Sequence, residues 1–333
     1  MPTSGPMNIA QAADLVDLSI QKIFMKSSDP ESQYTKYFKT RTTQDYYEKD
    51  SSLTGLGEAD FVDENAVLMQ DVPLQGYKQV YTQNMVGIII PFTFQMWKFG
   101  IKKRDLTNVV DELKKSIMRV KERLCAERLD NGFAPSYIHY GANSTRTIST
   151  VGGDGVAYFS SSHTREDGGT AMNNIVCTGG TSYNPVLDYA GIKAAYLTAS
   201  LFVDGRGNPR VGHLDTLVVK TGSTNAMKAK EILKAIKDGK IPESFDHDGA
   251  GVNAFEIIEL DYLQNGAYWY MFEKSKALSE REGFQFVESQ APTVDPVNVV
   301  YKTKEIQTSA TTLFDLGAND VTRCWVASTS AGS

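Results

Sequence analysis

The feature that most constrains the fold is a long amphipathic segment from Asp105 to Asn131. Its apolar residues recur at alternating spacings of four and three, which places them on one helical face, with Lys, Arg and Glu on the other. These apolar positions are Leu106, Val110, Leu113, Ile117, Val120 and Leu124. Asp105 or Thr107 can cap the start, and Asn131-Gly132 is a typical helix stop. The pattern predicts a helix of roughly 40 Å that serves as a spine for a sheet or an arm.

Composition narrows the class of protein. With 333 residues the chain can form two or three lobes around a substantial core. A formal net charge of −6 argues against a dedicated nucleic-acid binder, which usually has a basic balance. Three scattered cysteines, Cys125, Cys177 and Cys324, predict neither a disulfide framework nor a zinc site. Because no secretory signal appears and the longest apolar run, Met85 to Phe94, is too short for a bilayer, a soluble intracellular protein is expected.

Two segments ahead of the helix indicate an extended hairpin. The stretch from Ser51 to Tyr77 contains acidic residues, Gly and Pro, but no Lys or Arg. The stretch from Tyr77 to Phe99 has an approximate period of two and predicts a returning strand. An isolated hairpin is marginal in water and leaves open edges, so this one is expected to lie on a partner.

A basic stretch complements that acidic segment. From Lys98 through Arg128 the sequence contains ten basic and five acidic residues. In a compact monomer the two stretches would form a surface pairing, and in an assembly they would form a contact between subunits. Both interpretations are open at this point.

The other regions predict an α+β architecture. Residues 1–50 form a polar, tyrosine-bearing arm with a short helix predicted from Ile9 to Met25. Residues 132–184 are rich in Gly and Ser, which indicates irregular β structure. A helix follows, with Asn184-Pro185 as its start or Asp188 as an alternative cap. From Val211 onwards a strand, a helix and further strands are expected.

No catalytic, cofactor or metal site is predicted. The four histidines, His139, His163, His213 and His247, show no metal-ligand spacing. His163 lies near Ser160–Ser162 and Asp167, but no GxSxG motif is present, so a turn histidine bonded to backbone is the better interpretation. The glycine-rich stretches 204–212 and 246–253 match neither a dinucleotide loop nor a calcium loop.

Five stretches resemble, in order, the major capsid protein of tailed bacteriophages, which has the Hong Kong 97-type fold, and in particular its Mu-like head-subunit branch. They are residues 76–100, 154–169, 214–233, 255–274 and 312–328, the last with a Gly-x-x-Asp-x-x-Arg pattern at Gly317, Asp320 and Arg323. Each motif is short and degenerate, whereas their order and spacing around the long helix make the resemblance specific.

The resemblance implies an α+β Hong Kong 97 phage-like capsid fold. It divides the chain into an N-terminal arm (1–50), an extended hairpin loop (51–97), a peripheral domain (98–185) with the spine helix at 105–131, a mainly axial domain (186–300) and C-terminal strands that return to the peripheral domain (301–333).

The resemblance also implies a structural virion protein, not an enzyme. Such subunits form hexamers and pentamers of one chain that close into an icosahedral head around double-stranded DNA, which they contact only by non-specific proximity. Scaffold, portal and decoration proteins are further implied partners, and a membrane is not. The expected location is the virion, assembled in the host bacterial cytoplasm, with any scaffold a separate protein or already removed.

One interface hypothesis combines the charge pattern with this resemblance. The acidic loop of one subunit is expected to lie over basic residues of its neighbour, so that reversing the charges of Lys102, Lys103 and Arg104 impairs assembly and spares folding. The residues involved are Glu58, Asp60, Asp63, Glu64 and Asp71 on one side, and Lys102, Lys103, Arg104, Lys114 and Lys121 on the other.

Two alternatives stay open at the level of sequence. The first is an encapsulin-like nanocompartment shell, which shares the fold but not the role. The second is a hydrolase that uses His163.

Overall fold

The computed structural model describes most of the chain. The described residues are 20–22, 24, 32–63, 67–68, 70–93, 103–178, 180, 182–210, 212–238, 255–296, 298–300, 302–303 and 305–330. The predicted helix from Ile9 to Met25 lies almost entirely outside them.

Four helices and fifteen strands have described boundaries, together with a short 3₁₀ turn at Tyr34–Lys36. Residues 20–22 and 24 are also helical. The helices are α1 (Lys103–Asp130), α2 (Tyr189–Ser200), α3 (Thr224–Lys237) and α4 (Lys274–Ala277). The strands are β1 (Phe38–Thr42), β2 (Tyr47–Leu53), β3 (Gln75–Thr82), β4 (Asn84–Thr93), β5 (Ser136–Tyr140), β6 (Thr145–Ser149), β7 (Cys177–Thr178), β8 (Ser182–Tyr183), β9 (Thr216–Lys220), β10 (Glu256–Leu260), β11 (Trp269–Phe272), β12 (Phe284–Val294), β13 (Asn298–Val300), β14 (Glu305–Ala318) and β15 (Trp325–Ser328).

The predicted spine helix is confirmed as α1, which begins two residues before the predicted start and ends one residue before the predicted end. The apolar stripe is buried at Val110, Leu113 and Ile117, as the period of four and three requires. Towards the carboxyl end the buried face widens to include Cys125 and Leu129. The helix packs against β14 and β4, and therefore supports a sheet.

The main sheet is built from strands that are far apart in the sequence. β1 runs parallel to β12, β12 is antiparallel to β14, and β14 also pairs with β13 and β4. Along β14 buried and half-buried residues alternate, so one face of this strand packs into the core.

The strand predicted from Tyr77 to Phe99 is divided in the structure. β3 pairs with β2 in a separate hairpin, whereas β4 joins the main sheet beside β14. The chain changes partner at Gln83, where Thr82 N donates to Asp315 Oδ2 at 2.8 Å and Gln83 N donates to Tyr46 O. A sequence period of two cannot locate such a change, because both strands keep the same alternation.

The second sheet has the order β10–β9–β11–β15 and is flanked by α2 and α3. Side chains cap both helices: Asp188 accepts a hydrogen bond from Gly191 N, and Ser223 accepts one from Ala226 N. Of the two starts considered for α2, the Asp188 cap is thus the correct one.

Sheet membership does not follow the boundary expected at residue 300. β12, which precedes this boundary, lies in the main sheet beside the spine helix, whereas β15 pairs with β11 in the second sheet. The chain therefore passes from the main sheet to the second sheet between β14 and β15. The assignment of the lobes to a periphery and an axis stays a prediction.

An aromatic cluster joins the two sheets. Phe284 of β12 lies edge-on to Trp325 of β15, with ring centroids 5.1 Å apart, and Trp325 stacks on Phe272 of β11 at 4.3 Å. Phe159, from the irregular segment that follows β6, approaches both Phe284 and Trp325. All four side chains are buried.

The arm docks on the spine helix through Glu122. Its carboxylate accepts hydrogen bonds from Gln33 N at 2.7 Å and Tyr34 N at 3.0 Å. Burial raises the pKa of Glu122 to about 7, in spite of these two hydrogen bonds. The docked arm thus depends on a carboxyl group that is protonated more readily in the folded protein than in the unfolded chain.

In the described part of the chain, no helix has the length and hydropathy needed to cross a membrane.

We expect stability to decrease as pH rises from about 4.5 to about 7. A carboxyl group whose pKa is raised by folding binds its proton more tightly in the folded state. Its contribution to the free energy of unfolding is therefore complete below pH 4.5 and is lost as the pH rises through 7. The loss due to Glu122 should be about 1 to 2 kcal/mol, because the group keeps part of its hydration. Urea unfolding at several pH values measures it.

Glu122→Gln should reduce this pH dependence, and Glu112→Gln is the matched control. Glu112 lies on the exposed face of the same helix, where the hydrogen bond from Lys115 lowers its pKa. An unchanged slope in Glu122→Gln between pH 4.5 and 7 would contradict the assignment.

Candidate assembly surfaces

The predicted acidic residues lie in the loop that joins β2 to β3, residues 54–74, which we call the hairpin loop. Glu58, Asp60 and Asp63 are exposed. Glu64 lies outside the described residues. Asp71 differs from the others because it already has partners in its own chain: its carboxylate accepts from Gly57 N at 2.6 Å and pairs with Arg206 at 2.9 Å.

Apolar side chains of the hairpin loop are also exposed, a feature that the charge pattern did not predict. Phe61 and Val67 are almost completely accessible to solvent, and Leu68 and Val72 are largely so. Single exposed apolar residues are ordinary, whereas a run of large ones in one loop is typical of a surface that another molecule covers. The sequence signal was present, since these residues interrupt an otherwise acidic stretch.

A turn at residues 204–210 anchors the hairpin loop to the body. Arg206 donates to Val72 O and pairs with Asp71, and Asn208 Nδ2 donates to Leu56 O. The turn itself is fixed because Asp204 accepts from the backbone N–H groups of Arg206 and Asn208. The hydrogen bond from Gly57 N is the largest cause that lowers the pKa of Asp71, followed by the one from Val72 N and the charge of Arg206.

The predicted basic partners are not all available on the surface. Lys102 lies outside the described residues, as do the side chains of Lys103 and Arg104. Lys114 is only 8% exposed, and its ammonium group lies 5.4 Å from the centre of the Phe24 ring. The Lys114 side chain therefore packs within its own chain and does not form part of the exposed surface.

Lys121 does not fit the expected role on a neighbouring subunit. It is 2% exposed, and its Nζ lies 2.5 Å from Glu288 Oε1 of β12. Phe286 and Phe314 flank the ammonium group at 5.5 and 5.7 Å. A periodic pattern places Lys121 on the polar face, but the broad sheet beneath the helix buries this flank as well.

Other basic residues of α1 are accessible instead. Lys115 and Arg119 are exposed and both pair with Glu112, while Arg123 pairs with Glu127 one helical turn later. The exposed pairs with Glu112 contribute little to folding, so Lys115 and Arg119 can exchange partners at small cost. Arg123 is half-exposed and also donates to Tyr140 O.

A groove of about 650 Å³ runs beside this helix, between α1, β4 and the β5–β6 hairpin. Its walls include Val120 and Leu124 of α1 and Val86 of β4, and Arg123 and Arg146 lie among its lining residues. β4 contains no charged residue, and its Met85, Ile88 and Ile89 are exposed. A long apolar strand of this kind is usually protected by a partner.

His163 lies in the interior and not at a catalytic surface. It is 1% exposed, and its ring nitrogens contact Asp154 and Asn174. The Asp167 considered as a triad partner pairs with Arg165 instead. An imidazole with both nitrogens occupied has no free position to take a proton from a serine, so this geometry does not fit a hydrolase.

Among the residues that the structure describes, no group of three or more His, Cys, Asp or Glu side chains could hold a metal ion. The three cysteines are free thiols.

Comparison with known proteins identifies the fold. No protein-family model matches the sequence. No curated protein matches it either. Solved structures match over nearly the whole chain. A chain from Mycobacterium phage Adephagia is 14% identical with a TM-score of 0.51, and the match covers 97% of this chain and 98% of that one. The acid-stable capsid structure of Helicobacter pylori bacteriophage KHP30 matches at 9% identity with a TM-score of 0.50, covering 91% and 92%.

The protein has the Hong Kong 97-like phage capsid fold. The α+β fold class predicted from the sequence is therefore confirmed. The Mu-like branch is not shown by these structures and stays a prediction.

We expect Lys121→Ala to lower the free energy of unfolding by about 3 to 5 kcal/mol, because it leaves Glu288 buried without its partner. Lys115→Ala is the matched control on the same helix, and it should change stability by less than about 1 kcal/mol. Urea unfolding of both variants compares them. Equal stability of the two variants would mean that Lys121 is accessible after all.

Proposed function

We propose that this protein is the major capsid subunit of a tailed bacteriophage, and that copies of it assemble into the hexamers and pentamers of an icosahedral head around double-stranded DNA. The observation that carries the proposal is the phage capsid fold, matched over almost the entire chain. Of these two related structures, the one from bacteriophage KHP30 is described as a capsid.

The exposed apolar surface supports this function on physical grounds. The apolar residues of the hairpin loop and of β4 leave a large hydrophobic area in water. Covering it between neighbours removes this area from water, which is the main favourable term in protein association. A specific interface buries roughly 1,600 Å² in total, so the hairpin loop would form one part of a larger contact between subunits.

The charge hypothesis is retained with a changed set of basic residues. Glu58, Asp60, Asp63 and Glu64 remain candidates to contact Lys102, Lys103 and Arg104 of a neighbour. On α1, we replace Lys114 and Lys121 by three accessible residues, Lys115, Arg119 and Arg123. Asp71 is assigned to anchoring the hairpin loop within its own chain.

The remaining partners follow from this role. The subunit would belong to the virion and assemble in the host bacterial cytoplasm. Scaffold, portal and decoration proteins would bind the shell, and DNA would lie against its inner surface without sequence-specific contacts.

Electron microscopy of the full-length protein, expressed alone, tests the proposal. We expect closed shells, tubes or separate capsomers, because the chain then buries its apolar loop against other copies. Shells that enclose a protein of the expression host as a specific cargo would favour a nanocompartment instead. A stable monomer at high concentration would contradict both shell functions.

Reversing the charges of Lys102, Lys103 and Arg104 tests the interface. The triple substitution to Glu should strongly reduce the yield of closed particles, while circular dichroism and urea unfolding stay close to those of the unmodified protein. A matched triple reversal at Lys228, Lys230 and Lys234 of α3 controls for the change in net charge. Equal particle yields from the two variants would refute the contact.

A further inference from the structure

The buried His163 has an arrangement that defines its protonation state. Its Nδ1 lies 2.6 Å from Asp154 Oδ2, and its Nε2 lies 3.1 Å from Asn174 Oδ1. Asn174 cannot be turned round, because its Oδ1 also accepts from Ser160 N and its Nδ2 donates to Tyr158 O. Both ring nitrogens of His163 therefore face hydrogen-bond acceptors.

A neutral imidazole has one N–H group and cannot donate at both positions. The remaining nitrogen would direct its lone pair at an oxygen, which is costly inside a protein. Beside an ionised Asp154, His163 satisfies both acceptors only as the doubly protonated imidazolium, which also neutralises the carboxylate. The other Asp154 oxygen accepts from Val156 N, so the pair also fixes the turn at residues 152–155.

This turn is part of the seat for the start of β3, where the hairpin loop ends. The backbone of Gly153 lies so close to Tyr77 of β3 that an added Cβ would come within 2.8 Å of the Tyr77 Cβ. Thr164 follows His163 in the sequence, and its carbonyl oxygen accepts a hydrogen bond from the Tyr77 hydroxyl at 2.6 Å. Tyr77 is thus held by the two segments that His163 and Asp154 join.

We propose that the His163–Asp154 pair is a pH-dependent tether, which holds the start of β3, next to the hairpin loop, on its own chain when His163 is protonated and loosens it when the proton is lost. The step is a simple deprotonation: the proton leaves His163 for solvent, and a buried Asp154 carboxylate remains without its counter-charge. The effect should be local, because the other end of β3 is fixed separately by the buried Tyr81, whose hydroxyl bonds to Asn319.

The other ionisable groups around the seat are ion-paired or are buried phenols. Glu166 pairs with Arg323 at 2.7 Å, and Arg165 pairs with Asp167. Burial is the largest cause that raises the pKa of Tyr77, and also of Tyr158, so neither phenol ionises near neutral pH. Histidine is the side chain that normally changes charge between about pH 5 and 8.

Hydrogen exchange of the full-length protein tests the tether. After correction for the intrinsic rate, exchange in Gln75–Lys78 should rise about tenfold between roughly pH 5.5 and pH 8.5, whereas exchange in β15 should not follow it. His139→Gln is the matched control, because His139 also contacts a carboxylate, Glu127 at 2.6 Å, but lies away from Tyr77. This variant should keep the pH dependence.

Asp154→Asn gives the sharpest prediction. An amide at residue 154 can donate to Nδ1 of a neutral His163, whose Nε2–H then donates to Asn174, so the tether no longer needs the extra proton. Exchange in Gln75–Lys78 should then be slow at both pH values. The same tenfold rise in Asp154→Asn would overturn the proposal.

A measurement on the unmodified protein guards against a variant that does not fold. The ¹⁵N chemical shifts of the His163 ring should show both nitrogens protonated at the lower pH and one at the higher pH. A single neutral tautomer at both pH values would overturn the proposal.

Discussion

The packing of Phe284 against Trp325 is the contact on which the rest of the structure depends. Phe284 belongs to the main sheet and Trp325 to the second sheet, and both are completely buried. Burying an aromatic side chain contributes about 1.5 to 3 kcal/mol, and truncating one in a core costs about 3 to 5 kcal/mol. Because Trp325 lies near the carboxyl end, whereas the main sheet also contains β1 and β4 from the first part of the chain, this cluster can form only after the carboxyl end has folded back. The spine helix and the docked arm are in turn positioned by the sheet that contains Phe284.

Features with a local physical cause could be predicted from the sequence. The period of apolar residues located α1 to within two residues of its ends, and Asp188, the cap of α2, was one of the two starts considered for that helix. Features that depend on a distant partner could not be predicted from the sequence. The division between β3 and β4 at Gln83 is decided by β14, more than two hundred residues later, because Asp315 takes the Thr82 N–H. No pattern within residues 77–99 contains that information.

Dependence on distant residues also explains why the interface predicted from charge includes buried lysines. Counting charges located an acidic loop and a basic helix correctly, but it could not show how far the sheet extends under the helix. Lys121 and Lys115 lie six residues apart on α1, yet one is buried beside Glu288 and the other is exposed. A lysine stem can pass along an apolar surface to reach a buried acid, so a polar residue type does not prove an exposed position. His163 was singled out for its serine neighbours, whereas its real partners are nine and eleven residues away.

The hairpin loop combines two properties that a lone folded protein would avoid together. Its ends are fixed to the chain by Arg206 and Asn208, while its apolar residues, Phe61 and Leu68 among them, are left in water. Fixing the ends removes part of the conformational entropy that binding would otherwise cost, so a surface presented in this way binds more tightly than a free loop. Exposed apolar residues on a restrained loop therefore favour association over isolation. An anchor on the same chain also decides where the loop can reach, so a change in that anchor would move the apolar surface that the loop presents.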